Sequence, residues 1–389
     1  MERLIRLSLT IALSCVIGLA GTAWVYGVEK EEEDSPGTLY ARSAVLADGT
    51  TGRVLWGKNE NEPMAMASTT KIMTCLVALE NSAPDEQVSI SEYAASMPDV
   101  QLDAVAGDTF RMEDLLYSLM LESHNDTAVA IAEHIGGSVE EFAQMMNQRA
   151  EEMGCMQTNF VTPNGLDSQG HYTTAAELAL IASEAIKNED FLKIINTGSY
   201  SFSNVDGTRQ YHVENKNAFL NMMPGAFGIK TGFTNDAGYC FVGALESDER
   251  VYISVVLGSG WPPNKNYKWQ DTMKLMNFGL EHYVLKEIGS DALDVGELEI
   301  DGGCEDTVRL TTDAHSMNIL MKESDIFSSK IVRDLERKAP IDANERVGWL
   351  YYEINGEIIE QFSIYITDAV EKRNFAFCLQ KLVYWWMYL

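Results

Sequence analysis

The sequence predicts an α+β fold: a mixed domain over residues 38–286, with an antiparallel sheet and a helical subdomain, then a small β-rich domain over 287–370. Three observations carry this expectation. A strand pair near the N-terminus and a run of strands between Ala226 and Leu257 enclose a long stretch whose apolar residues recur at helical spacing. After Ile288 the pattern changes to short alternating segments with an Asn-Gly turn. In 389 residues, 46% hydrophobic and 22% charged content is enough for more than one core.

The first element is a leader over residues 1–23. Arg3 and Arg6 precede an apolar run from Leu7 to Leu19, and Ala20-Gly-Thr-Ala23 follows. That run is short for a membrane span and has the layout of a secretory signal cleaved after Ala23; an uncleaved anchor is the alternative. A linker over 24–37 carries the acidic run Glu29–Asp34 and then Ser35-Pro-Gly37. Ser43–Ala47 and Arg53–Trp56, separated by Asp-Gly-Thr-Thr-Gly, read as a hairpin.

Helices follow. Ser68–Glu80 is apolar nearly all round, as a helix buried in a core must be. Met112–Met120 and Asp126–Ile135 are two more, the second stopped by Gly136-Gly137. Capping boxes open the next two, Ser138-Val-Glu-Glu141 running to Met153 and Thr174-Ala-Ala-Glu177 running to Ile186. Met145 and Met146 belong to helix core. Strands return at Phe227–Thr231, Tyr239–Leu245 and Val251–Leu257, and a helix over Trp269–Tyr283 closes the first domain. In the second, Tyr351–Ile359 is an Asn-Gly hairpin. The terminal segment, 371–389, holds Phe375, Phe377, Trp385 and Trp386 beside Lys372, Arg373 and Lys381. Such aromatic density with basic residues predicts an amphipathic foot on a membrane surface; packing back onto the protein is the alternative.

The net charge of −29 excludes nucleic acid as a partner, because phosphate contacts need Lys and Arg on the binding face. The six cysteines (Cys15, Cys75, Cys155, Cys240, Cys304 and Cys378) have no metal-ligand or C-x-x-C spacing. Cys15 lies in the apolar leader run, and the other five read as buried small apolar residues, with neither a disulfide framework nor a metal expected.

Three short motifs carry chemistry. Ser68-Thr-Thr-Lys71 puts a hydroxyl and an amine one helical turn apart, and a neutral lysine can take a serine's proton. Ser123-His-Asn125, in a loop between two helices, offers a proton relay and an amide that both donates and accepts. Lys230-Thr-Gly232 lies on a strand whose glycine lets a substrate backbone come close, and its lysine disfavours protonation of Lys71. His124 reads as a bystander, and His171 as a loop-ordering residue.

In this order the motifs resemble those of the penicillin-recognising serine acyl-enzymes, S-x-x-K, S-x-N and K-T-G. With Ala67–Thr74, Ser123–Asp126, Pro163-Asn-Gly-Leu-Asp167, His171-Tyr-Thr-Thr174 and Gly228–Thr234, the chain is similar to the low-molecular-mass penicillin-binding proteins, the serine-type D-alanyl-D-alanine carboxypeptidases, over Ala41–Tyr283. The resemblance implies a penicillin-recognising domain that removes the terminal D-alanine from peptidoglycan stem pentapeptides, without a cofactor, and is inhibited by β-lactams. It implies Ser68 as nucleophile, Lys71 as its base and Ser123 as the relay to the leaving group. Backbone N–H groups of Ser68 and Phe233 would form the oxyanion hole. Lys230 and Thr231 would hold the substrate carboxylate on the Gly232 strand, Asn125 its amide, and Lys268 is a further carboxylate candidate. The site would lie in the bacterial envelope, on the outer face of the cytoplasmic membrane. Two rivals are a class A-like β-lactamase, which needs an E-x-x-L-N loop that the chain lacks, and a catalytically silent binding protein.

Overall fold

The computed structural model describes residues 35–98 and 100–388; the expected leader, with Cys15, and most of the linker lie outside the described residues. In chain order, β1 (Ser43–Asp48) and β2 (Val54–Lys58) form the expected hairpin, and a 3-10 turn (Ala67–Thr70) leads into α1 (Lys71–Asn81). Then come β3 (Gln87–Ser89), α2 (Glu92–Ala95), β4 (Thr109–Arg111), α3 (Met112–Leu121), α4 (Asn125–Gly136), α5 (Val139–Glu152), α6 (Ala175–Ala185) and α7 (Glu189–Ile195). β5 (Ser199–Ser203) and β6 (Gln210–Glu214) make a hairpin, followed by β7 (Ala226–Thr234), β8 (Gly238–Ser247), β9 (Arg250–Leu257) and α8 (Tyr267–His282). The remainder is β10 (Val284–Ile288), β11 (Glu297–Asp301), β12 (Thr307–Thr312), β13 (Met317–Met321), β14 (Phe327–Arg333), β15 (Glu336–Lys338), β16 (Arg346–Ile354), β17 (Glu357–Ile366) and α9 (Phe375–Tyr388).

The first sheet has the order β2-β1-β9-β8-β7, every pair antiparallel. Strand alternation splits its side chains between two cores. Val45, Ala47, Val242, Ile253 and Val255 face the helical layer built around α1. Ala44, Leu46, Phe241, Tyr252 and Val256 face α8, through Leu275, Met276 and Phe278. The sheet is therefore covered on both faces, while β7 remains a free edge at the helical layer.

The helix expected from Ser68 begins instead at Lys71. Ala67 has φ +50°, and the hydroxyls of Thr69 and Thr70 donate to the carbonyls of Met66 (2.6 Å) and Ala67 (2.8 Å). These local bonds tighten the first turn into 3-10 geometry in place of the helical ladder. Asn125 is likewise helical, as the first residue of α4, and Glu122, Ser123 and His124 lie between the helices. The predicted capping residues do cap: Ser138 Oγ accepts from Glu141 N and Thr174 Oγ1 from Glu177 N.

The second sheet has the order β14-β16-β17-β12-β11-β15, antiparallel except for β11–β15. Leu350, Tyr352, Phe362, Ile364 and Ile366 fill its own core. Asn355 and Gly356, at φ +54° and +85°, turn β16 into β17 as the sequence predicts. The connection to the first sheet runs through Leu320 of β13, whose N–H donates to Asp48 Oδ2 (3.1 Å) and whose carbonyl accepts from Arg53.

Of the cysteines among the described residues, Cys75, Cys155 and Cys240 are buried, but Cys304 is half-buried and Cys378 exposed. The last two correct the expectation of burial: Cys304 lies between two sheet strands and Cys378 on α9, whose side chains face solvent. Phe375, Leu382, Trp385 and Trp386 are all more than two-thirds exposed. No described helix is long and apolar enough to cross a membrane.

Candidate active site

The turn that presents Ser68 is fixed from outside by the segment 160–171. Thr74 Oγ1 donates to Pro163 O (2.6 Å), anchoring α1 to that segment. Gly165, at φ +81°, passes so close that an added Cβ would lie 2.0 Å from Ala67 O. The imidazole of His171 accepts from Val161 N–H at Nδ1 (3.0 Å), which leaves the proton on Nε2, 2.8 Å from Thr70 Oγ1. Burial pushes this imidazole down to about 4, so it is neutral at physiological pH and holds the turn without a charge.

Lys71 is fully buried beneath the turn. Its Nζ lies 3.1 Å from Ser68 Oγ, 2.9 Å from Asn125 Oδ1 and 2.6 Å from Asn164 O. Burial, and then the charge of Lys230, hold its pKa well below the usual lysine value, against a smaller opposing pull from Asp126. A neutral amine has two N–H donors and one lone pair. Asn125 Oδ1 and Asn164 O can only accept, so they take the two hydrogens and leave the lone pair for the Ser68 hydroxyl. That is the geometry of a general base on its nucleophile.

The second motif is folded against the first. Asn125 bonds Lys71 through its oxygen, and its Nδ2 donates to Pro98 O (3.0 Å). Ser123 sits at φ +73°, and its buried Oγ has no hydrogen-bond partner among the described residues. A buried hydroxyl that no protein group pairs is left open to a bound water or substrate group. His124 bonds Ser118 Oγ (2.7 Å) at the other side of the turn, and burial lowers its pKa.

The third motif lies on the free edge strand β7. Lys230 is buried, its Nζ donates to Thr231 O (3.2 Å), and burial brings it down to about 7. Gly232 packs on the nucleophile turn itself: a Cβ there would lie 3.0 Å from Ser68 N and 3.1 Å from Ala67 Cβ. The glycine thus admits the protein's own backbone, where the sequence suggested a substrate's. Register puts Thr231 opposite Phe241, on the other face of the strand from Lys230 and Gly232. Thr234 Oγ1 donates to Asp167 Oδ1 (2.6 Å), tying β7 to the Pro163–Asp167 segment. Lys268 is buried at the start of α8 with its ammonium 4.7 Å from the ring centres of Tyr239 and Trp269, and burial lowers it to about 8.

Ser68, Lys71 and Asn125 therefore form one bonded cluster with Lys230 and Gly232 beside it, while the Ser123 hydroxyl makes no bond into that cluster. The Asn164 carbonyl is a member that residue-type reasoning misses. Its signal in the sequence is the Pro163-Asn-Gly-Leu-Asp167 stretch, from which no chemical role follows by residue type. No group of His, Cys, Asp or Glu among the described residues could hold a metal ion.

Comparison with known proteins gives a consistent picture. Residues 29–260 match the peptidase S11 family model, described as D-alanyl-D-alanine carboxypeptidase. The chain is 31% identical to D-alanyl-D-alanine carboxypeptidase DacF of Bacillus subtilis, over 89% of this chain and 90% of that one. It is 30% identical to DacD of Escherichia coli, over 80% and 82% of the two chains. Among solved structures, penicillin binding protein 5 of Haemophilus influenzae superposes with a TM-score of 0.71 at 25% identity, covering 87% of this chain and 99% of that one. A single-residue mutant of the Streptomyces K15 DD-transpeptidase matches at 0.59 and 31% identity, over 63% of this chain and 99% of that one.

Proposed function

Because this chain belongs to the D-alanyl-D-alanine carboxypeptidase family, peptidase family S11, we propose that Ser68 is the acylated nucleophile of a serine D-Ala-D-Ala carboxypeptidase acting on peptidoglycan stem peptides. The observation that carries the residue assignment is the Lys71 amine, 3.1 Å from Ser68 Oγ with both its hydrogens directed to carbonyl-type acceptors. Lys71 takes the hydroxyl proton as Ser68 Oγ attacks the carbonyl between the two terminal D-alanines. Negative charge on the carbonyl oxygen is met by the N–H groups of Ser68 and Phe233. The proton then passes through the Ser123 hydroxyl to the departing amine, the C–N bond breaks, and free D-alanine leaves. Water, deprotonated by the same amine, hydrolyses the ester and restores Ser68.

Substrate orientation falls to Lys230 with Thr231, beside Gly232, for the terminal carboxylate, and to Asn125 for the amide, with Lys268 a further cation. β-Lactams acylate the same serine. A class A-like lactamase is not favoured, nor is a silent binding protein. The parting of the two sheets' cores supports a peptidase domain over 38–286 and a β-rich domain over 287–370. The envelope location of a cell-wall enzyme extends to a finer reading, a leader over 1–23 and a membrane-surface foot over 371–389, supported by the exposed rings of α9.

The direct test is release of D-alanine from a pentapeptide ending in D-Ala-D-Ala. Wild type is expected to release it, and Ser68→Ala to lose at least a thousandfold in rate (on the order of 10³ or more) while keeping its melting temperature. Retained turnover in Ser68→Ala would falsify the assignment.

A further inference from the structure

We propose that Asp126 is a positioning residue for acylation, which fixes, through residues 98 and 100–104, the direction in which the Asn125 amide faces Lys71. The proposal rests on the acyl-enzyme reading above. Asp126 is buried in the first turn of α4, 1% exposed. Its Oδ1 accepts from Leu102 N (3.0 Å) and Thr127 N (2.8 Å), and its Oδ2 from Leu102 N (3.0 Å) and Ala104 N (3.3 Å). The same segment turns two carbonyls onto Asn125: Val100 O accepts its backbone N–H (2.7 Å) and Pro98 O its Nδ2 (3.0 Å).

A carbonyl can only accept, so Pro98 O must meet the nitrogen end of the Asn125 amide. The oxygen end is thereby left for Lys71. With Asn164 O holding the second hydrogen of a neutral amine, the lone pair has one direction remaining, towards Ser68. A carboxylate that never touches the reacting atoms thus aims the base. Its negative charge also acts on Lys71, in the sense opposite to that of Lys230.

Other ionisable groups face this site. Lys230 comes from β7, and His124 stands at the head of α4 with Glu122 3.4 Å away. Tyr211 on β6 also lies within reach of the Asp126 charge, and Asp103 is an exposed member of the clamped segment. Of these, His124 could itself produce an acid limb, so the test includes a His124→Gln background.

The experiment measures the second-order rate at which a fluorescent penicillin acylates Ser68 from about pH 4 to about pH 10, with D-alanine release in parallel. In Asp126→Asn the plateau is expected to fall about 10- to 100-fold, and the acid limb to move to lower pH because an anion that favours protonated Lys71 has gone. A purely structural role would lower the plateau and leave the limb where it was, which overturns the proposal. So does a limb shift that disappears in the His124→Gln background. If Asp126→Asn does not fold, Asp126→Glu decides: it keeps the charge, so the limb should stay and the plateau fall, and a wild-type plateau overturns the proposal. Wild-type protein that is acylated but releases no D-alanine contradicts the carboxypeptidase reading alone. Wild-type protein that takes no label at all overturns both.

Discussion

Lys71 and Lys230 share one buried cleft, and neither gains a carboxylate partner at hydrogen-bond distance there. For Lys230 the cost has a sign and a window. Its pKa falls from 10.5 to about 7 on folding, so between those values the unfolded chain binds more protons than the folded one. Stability is full above about 10.5, falls as the pH drops, and levels off below about 7; the penalty at neutral pH is up to about 4 kcal/mol. Lys230→Met is therefore expected to raise the melting temperature at pH 7 while cutting D-alanine release by about 100-fold or more. Calorimetry beside the release assay checks this, and a melting temperature that does not rise refutes it. In wild type, the proposed role of Lys230 predicts that kcat/KM declines as the pH climbs through the Lys230 value, because a substrate carboxylate would then meet a neutral amine. Ser68, Lys71, Asn125 and Lys230 are legible in the sequence because three spaced motifs encode them. The Asn164 carbonyl is not, since a backbone oxygen has no residue type and only folding brings it to 2.6 Å from Lys71.

Elements also meet closely where β7 crosses the Ser68 turn. A methyl group on Gly232 would press on Ser68 N and Ala67 Cβ at 3.0–3.1 Å, forcing a shift of a few tenths of an ångström. Gly232→Ala is expected to lower acylation by about 10- to 100-fold with little change in stability, since the reacting geometry is less tolerant than the fold. Labelling by penicillin, compared with thermal melting, tests it; wild-type acylation would show that the turn adapts freely. The capped helices α5 and α6 and the turn at Asn355-Gly356 are legible because each carries a local signature. The β5–β6 hairpin is not among the expected elements. Its Asp206-Gly207 pair and the alternation of Tyr200 and Phe202 with Tyr211 and Val213 are visible in the sequence, but its stability is tertiary. Tyr200 stacks on Tyr117 with ring centres 3.9 Å apart, and Phe110 meets Tyr211 edge-on at 5.3 Å. The 3-10 start at Ala67 is hidden for a related reason, because hydroxyl-to-backbone bonds there outweigh the helical pattern.

For the molecule as a whole, a charge of −29 disfavours adsorption of the body to anionic lipid, so the proposed membrane foot would depend on the terminal helix. At about 1.5 Å per residue, α9 is roughly 20 Å long, short of the roughly 30 Å hydrocarbon layer, and its exposed rings suit the plane of the interface. A chain ending at Lys372 is expected to leave the membrane fraction in detergent-free fractionation. Unchanged retention, in protein shown to lack its leader, would refute the foot. The division into two β-containing parts is legible from the change of pattern at Ile288. The grip of Asp48 and Arg53 on Leu320 is not, because it joins residues more than 260 positions apart. The central place of β1 in its sheet has a consequence for how the chain comes into being. β1 lies between β2 and β9, and its long-range partner begins only at Arg250. A chain made or threaded N-terminus first can close the β1–β2 hairpin early, but it must hold the β9-facing edge of β1 unpaired until about two-thirds of the chain has been made, an order of events that slows folding and exposes that edge to aggregation. Until β7 and β9 arrive, Ser68 has no neighbouring Lys230 and no edge to present it, and an unfinished chain is inert towards both cell wall and antibiotic.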